Sequence, residues 1–108
     1  MRKIASNLLL DSEGLHRNPL VELSDAGMIH SITTTPHPDR EPFTEFYAGV
    51  LVVGLEGCNL RVLADQAETP IEELLCPYLN PANRTLCLIS GLNYERHTLT
   101  AKSRIHLF

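Results

Sequence analysis

Four consecutive apolar residues, Val50-Leu51-Val52-Val53, three of them β-branched and bracketed by Gly49 and Gly54, set the tightest limit on this chain. β-Branched side chains are stiff at χ1 and pack well on a pleated surface, so the run favours a strand over a helix. Successive strand side chains point to opposite faces, and a run without a polar residue needs cover on both. Residues 43–53, in which Glu45, Phe46 and Tyr47 lead into the apolar stretch, are therefore expected to form one strand at the centre of a sheet.

The remaining pattern is also mainly β. Residues 4–10 read as a first strand, ended by the turn-prone Asp11-Ser12-Glu13-Gly14. Residues 19–23 and 28–33 flank Ser24-Asp25-Ala26-Gly27, a short connection with a glycine able to adopt positive φ, and predict a β-hairpin. Pro36, Pro38 and Pro42 remove ladder donors, so residues 34–42 are expected to loop. Residues 85–90 and 99–108 supply the last two strands. One helix is expected, short and near residues 70–76: Thr69-Pro70-Ile71-Glu72 has capping-box spacing with proline at the first helical position, and Pro77 disfavours helical geometry at Cys76.

Composition narrows the partners. The 108 residues suit a single domain, and 44% hydrophobic residues suffice for one core. With 9 Lys plus Arg against 13 Asp plus Glu and 6% aromatics, neither an electrostatic footprint nor a stacking platform for nucleic acid is present. The N-terminal apolar stretch is broken by Ser6 and Asn7 and is too short for a signal segment or a membrane span. Cys58, Cys76 and Cys87 are an odd set without C-x-x-C spacing, which reads as reduced thiols in the cytoplasm and as neither a disulfide framework nor a zinc site.

Three sets of residues occur in a telling order. The first is Met1-Arg2-Lys3-Ile4-Ala5-Ser6-Asn7 with Asp25-Ala26-Gly27-Met28-Ile29-His30-Ser31-Ile32, and the second is Phe46-Tyr47-Ala48-Gly49 followed by Val50 to Gly54. The third joins Pro70-Ile71-Glu72-Glu73-Leu74-Leu75 and Leu79-Asn80-Pro81-Ala82 to Leu86-Cys87-Leu88-Ile89-Ser90-Gly91-Leu92 and the stretch from Leu99 to Ile105. In this order they resemble the amidohydrolase superfamily of metal-dependent hydrolases. The first set resembles the opening strands of the small composite β domain beside the catalytic barrel. The second resembles the strand that enters the barrel, with Val53 where a proline is usual. The third resembles the closing helix of the barrel and the strands that return to the small domain.

The resemblance implies that the catalytic TIM barrel is missing, since residues 60–69 alone stand in its place. The expected fold is a β-sandwich or pseudo-barrel in one composite-type domain, residues 1–108, built from both chain ends with the first and last strands side by side. Residues 1–59 supply the N-terminal strands, 60–84 a linker with the short helix, and 85–108 the C-terminal strands. The shortened connection costs little closure entropy. The family's His-x-His positions fall on Asn59 and Arg61, vestigial metal-ligand positions, because a guanidinium cannot ligate a divalent cation and an amide poorly replaces imidazole.

No catalytic residue, metal or other cofactor is expected. His16, His30, His37, His97 and His106 are scattered, and Glu72 and Glu73, adjacent on a helix, point too far apart to flank one bond. Cys58 beside Gly57 could expose a thiol to His30 or His97, yet a free cysteine is more commonly a small buried hydrophobe. Arg61 with Asn59 could form an anion-binding corner. Loss of a barrel is expected to leave an apolar face at the join, so Leu60, Val62, Leu63, Ile71, Leu74 and Leu75 form a candidate interaction patch, covered by the chain's own helix or by another chain. The expected function is non-catalytic and works through protein association, as a homodimer or with a related full-length enzyme. The alternative is an amidohydrolase-related small-molecule binder or a hydrolase acting on carbon–nitrogen bonds.

Overall fold

The computed structural model describes residues 1–63 and 68–108. Among them are nine strands: β1 (Arg2–Ala5), β2 (Leu8–Asp11), β3 (Gly14–Arg17), β4 (Pro19–Leu23), β5 (Ile29–Thr34), β6 (Thr44–Phe46), β7 (Val50–Val53), β8 (Leu86–Ser90) and β9 (Arg104–Leu107). Two one-turn helices, α1 (Leu60–Leu63) and α2 (Ile71–Leu74), lie between β7 and β8. The strands form a four-stranded sheet, ordered β5-β4-β1-β6, and a five-stranded sheet, ordered β3-β2-β7-β8-β9. The mainly β expectation holds, as a two-sheet sandwich without a closed barrel.

Two long strands expected from the sequence are each two. Residues 4–10 change sheets at Ser6-Asn7, and residues 43–53 do so at Tyr47 to Gly49, so β1 pairs in parallel with β6 while β2 pairs in parallel with β7. Asn18, at φ 53°, turns the chain from β3 in one sheet to β4 in the other beside them, its N–H donating to the Asn7 carbonyl at 3.0 Å. Corners of this kind let neighbouring strands serve both layers of a sandwich. Apolar residues flank each corner on both sides, so a pattern reading joins the two strands. Strand β3 was not expected at all; it folds back on β2 through the Asp11-Gly14 turn.

The core explains the valine run. β7 is the middle strand of its sheet and all four of its residues are buried. Leu51 and Val53 face Ile4, Val21, Leu23 and Ile29 of the other sheet. Val50 and Val52 face the opposite way, into a cluster closed by Leu63, Ile71, Leu74, Leu75, Leu92 and Leu99.

The first and last strands are not neighbours in a ladder. β1 lies between β4 and β6, while β9 is the edge of the other sheet beside β8. The chain ends meet across the layers instead, the Arg2 guanidinium standing 5.7 Å from the centre of the Phe108 ring.

The capping box is not formed either. Pro70 itself occupies the cap position in extended geometry, without a side-chain hydrogen bond, and α2 is one turn long. The Ile71 N–H is satisfied by the His97 carbonyl at 2.7 Å, so a distant loop does what Thr69 and Glu72 were expected to do. Among the described residues, Oε2 of Glu72 is buried without a partner. Within the expected linker 60–84, residues 64–67 lie outside the described residues. No described helix is long and apolar enough to cross a membrane.

Candidate functional site

The path to residues 59 and 61 begins where β7 must stop. Gly54 adopts φ +72°, and a Cβ there would sit 2.3 Å from the Asn80 carbonyl oxygen, so the chain turns sharply against the 80–83 loop. Asn80 N–H donates back to the Gly54 carbonyl at 2.9 Å. Asn59 then opens α1: its Oδ1 accepts the Arg61 N–H at 3.0 Å and its carbonyl accepts the Leu63 N–H at 3.1 Å. This is ordinary helix-start chemistry for asparagine.

Asn59 and Arg61 do not fit a catalytic metal. The oxygen of Asn59 is committed to a backbone amide, and Arg61 contributes a cation. What they help to line is a cleft of about 920 Å³ between α1 and the strand β9 with the loop before it. Cys58, Asn59 and Arg61 stand on one side, and Thr100, Ser103 and Arg104 on the other. Among the described residues the lining contains two arginines, no carboxylate and no imidazole. Among the described residues neither Arg61 nor Arg104 pairs with an acid.

Hydroxyls in this cleft are already used. Thr100 Oγ1 and Ser103 Oγ both donate to the Gly91 carbonyl, and Ser103 Oγ accepts the Thr100 N–H at 2.9 Å. Arg104 spends one N–H on the Ser103 carbonyl at 3.0 Å, leaving the rest of its donors. The guanidinium groups are thus the main uncommitted recognition elements.

Cys58 and Ile105 also belong to the wall of a second cavity, about 330 Å³, lined with Leu55, Leu86, Cys87, Leu107 and Phe108. Burial pushes the Cys58 thiol up, and pushes Cys87 up to about 12 with the neighbouring Cys58 adding to the shift. A thiol held protonated is a poor nucleophile. Neither His30 nor His97, the partners expected for a reactive Cys58, lines either cavity.

The apolar patch expected at the join is largely interior. Ile71 and Leu75 are fully buried, Leu63 and Leu74 nearly so, and Leu60 packs partly buried against them. Val62, 62% exposed, is the one large apolar side chain of the six that faces outward. Five of the six side chains thus sit on or beside the one-turn helices and pack inward.

Two groupings escaped sequence reasoning. Arg104 reaches the cleft only through the β8–β9 hairpin, and no sequence signal connects it to Arg61. Asp11, Glu13 and His16 gather at the β2–β3 turn with potential ligand atoms within 4.8 Å of one another. There His16 Nε2 lies 2.9 Å from Asp11 Oδ1, which also accepts the Glu13 N–H at 2.8 Å, so the group is bonded internally. Recognising Gly14 as a hairpin turn would have found it.

No family model and no curated protein matches this chain. A solved structure described as an amidohydrolase from Brucella melitensis is similar over 64% of this chain, at 23% identity and a TM-score of 0.44. This chain spans 15% of that one.

Proposed function

We propose that this chain is a non-catalytic, amidohydrolase-like composite β domain that has lost the metal-binding barrel and acts by binding a small molecule. The observation that carries the binding reading is that Arg61 and Arg104 line one cleft whose described lining has no acid, in a chain with more acids than bases. The non-catalytic part is supported by the same lining, which among the described residues offers no imidazole or carboxylate to move a proton and no set of metal ligands. Family kinship rests on the ordered sequence segments.

Protein association is the second reading. It is favoured by β9, an edge strand with Leu107 77% exposed, since an unpaired edge is a template for another strand. One preparation separates the readings. Light scattering gives the solution mass, elemental analysis gives the metal content, and amide chemical shifts report binding from a panel of small anions and cations. The binding reading expects anion-dependent shifts confined to residues 58–61 and 100–105, without a stoichiometric transition metal. Concentration-dependent dimerisation with protection of β9 amides would favour association, and a bound metal with hydrolysis of an amide substrate would overturn the non-catalytic assignment.

A further inference from the structure

The two cavities share a wall, and that wall restricts the ligand. Cys58 and Ile105 line both, so the arginine cleft adjoins, across these two side chains, a mainly apolar space bounded by Leu55, Thr85, Leu86, Leu107 and Phe108. One end of the composite site is cationic. The other offers little beyond apolar surface and protonated thiols.

We infer that the site takes a monocarboxylic acid with an apolar tail, the carboxylate held between Arg61 and Arg104 and the tail lodged in the adjoining cavity. This inference rests on the binding reading above. Guanidinium groups match a carboxylate with paired, charge-assisted hydrogen bonds. A sugar or other polyhydroxylated ligand needs several neutral partners, and the Thr100 and Ser103 hydroxyls are already bonded to the Gly91 carbonyl. A ligand with charge at both ends would set one charge against Leu86, Leu107 and Phe108, where no described side chain carries a compensating charge. An apolar tail instead gains from leaving water.

The test is a calorimetric titration of the intact chain with butyrate, hexanoate and octanoate, beside octylamine, octanol and inorganic phosphate. The expected result is one saturable site for the acids, with affinity rising about fourfold for each methylene added. Octylamine should not bind, and octanol and phosphate should both be much weaker than octanoate. Arg61→Gln and Arg104→Gln should each weaken octanoate about tenfold or more while leaving the thermal unfolding of the ligand-free protein unchanged, since both side chains are exposed. Phosphate binding as tightly as octanoate, or acids of equal affinity at every length, would overturn the acyl-tail assignment while the cleft remained a binding site. Octanol matching octanoate would overturn the carboxylate assignment. Octanoate affinity that ignores both arginine substitutions would remove the cleft itself and the binding function with it.

Discussion

The two faces of the five-stranded sheet are equally dry and differently closed. On one face, Leu51 and Val53 of β7 meet a second sheet whose strands are tied by continuous ladders, as in the β1–β4 pairing from Arg2 with Leu23 to Ala5 with Leu20. On the other, Val50 and Val52 meet Leu63, Ile71, Leu74 and Leu75, carried on one-turn helices. Among the described residues those covering segments are tied by isolated backbone contacts instead of ladders, Ile71 to His97 at 2.7 Å and the Leu55–Leu79 bridge, in which Glu56 N–H donates to Tyr78 at 2.8 Å and Asn80 N–H to Gly54 at 2.9 Å. Burial can therefore be complete where regular hydrogen bonding is sparse. A face closed in this way depends more on side-chain packing, and it opens locally at lower cost than a laddered one.

The largest effects should come from truncating the two covers. Leu51→Ala and Leu75→Ala each remove a fully buried side chain and should each cost roughly 2–5 kcal/mol in urea unfolding. Their amide exchange should differ. Leu75→Ala is expected to lose protection first in α2 and its neighbours, with β1 and β4 still protected, whereas Leu51→Ala lowers protection throughout. Uniform loss in both variants would abolish the contrast between the faces.

How much of this contrast was legible in the sequence follows from what each signal measures. Valine richness reported two-sided burial of residues 50–53 correctly, because β-branching and the absence of polar residues are properties of the segment itself. The Ser24–Gly27 connection gave the β4–β5 hairpin for the same reason, and Gly27 has the positive φ, 79°, that the turn requires. The corners at Ser6-Asn7 and Tyr47 to Gly49 were missed because Ala5 and Ser6 remain buried while the chain changes layers. Glu72 misled because capping-box spacing is a local rule, and here the His97 carbonyl supplied the partner from outside the helix. Asn59 and Arg61 stood out by their residue types, but Arg104 joins them in the cleft by tertiary structure alone.

An intermediate effect should sharpen the helix-covered face from within. Cys87 belongs to that cluster, and its thiol is pushed from an ordinary 9.0 up to about 12, chiefly by burial. Because the folded state raises this value, the associated stability is fully present below about pH 9 and declines as pH rises toward 12. The expected loss is on the order of 1 kcal/mol per pH unit once the unfolded thiol ionises. Replacing the residue as Cys87→Ala should flatten the alkaline limb of the stability profile relative to the parent protein. An unchanged slope would mean that water reaches this face.

The smallest effect is expected at the seam where the sheets' outer strands and the chain ends meet. Arg2 on β1 donates Nε and Nη2 to the two oxygens of Glu45 on β6, each at 2.8 Å, and Tyr47 adds its hydroxyl at 3.0 Å. The Arg2 hydrogen bonds hold the Glu45 carboxyl below its ordinary 4.5. A value lowered on folding places the stabilisation above that pH and removes it as pH falls through the lowered value. Glu45→Gln should thus lower the urea midpoint slightly at neutral pH and converge with the parent protein in acid. Added salt should shrink the neutral-pH difference, since both side chains are about half exposed. Persistence of that difference at low pH would show that Glu45 contributes through packing instead of charge, and that this parallel β1–β6 edge is held as the covered face is, by contact more than by paired polar groups.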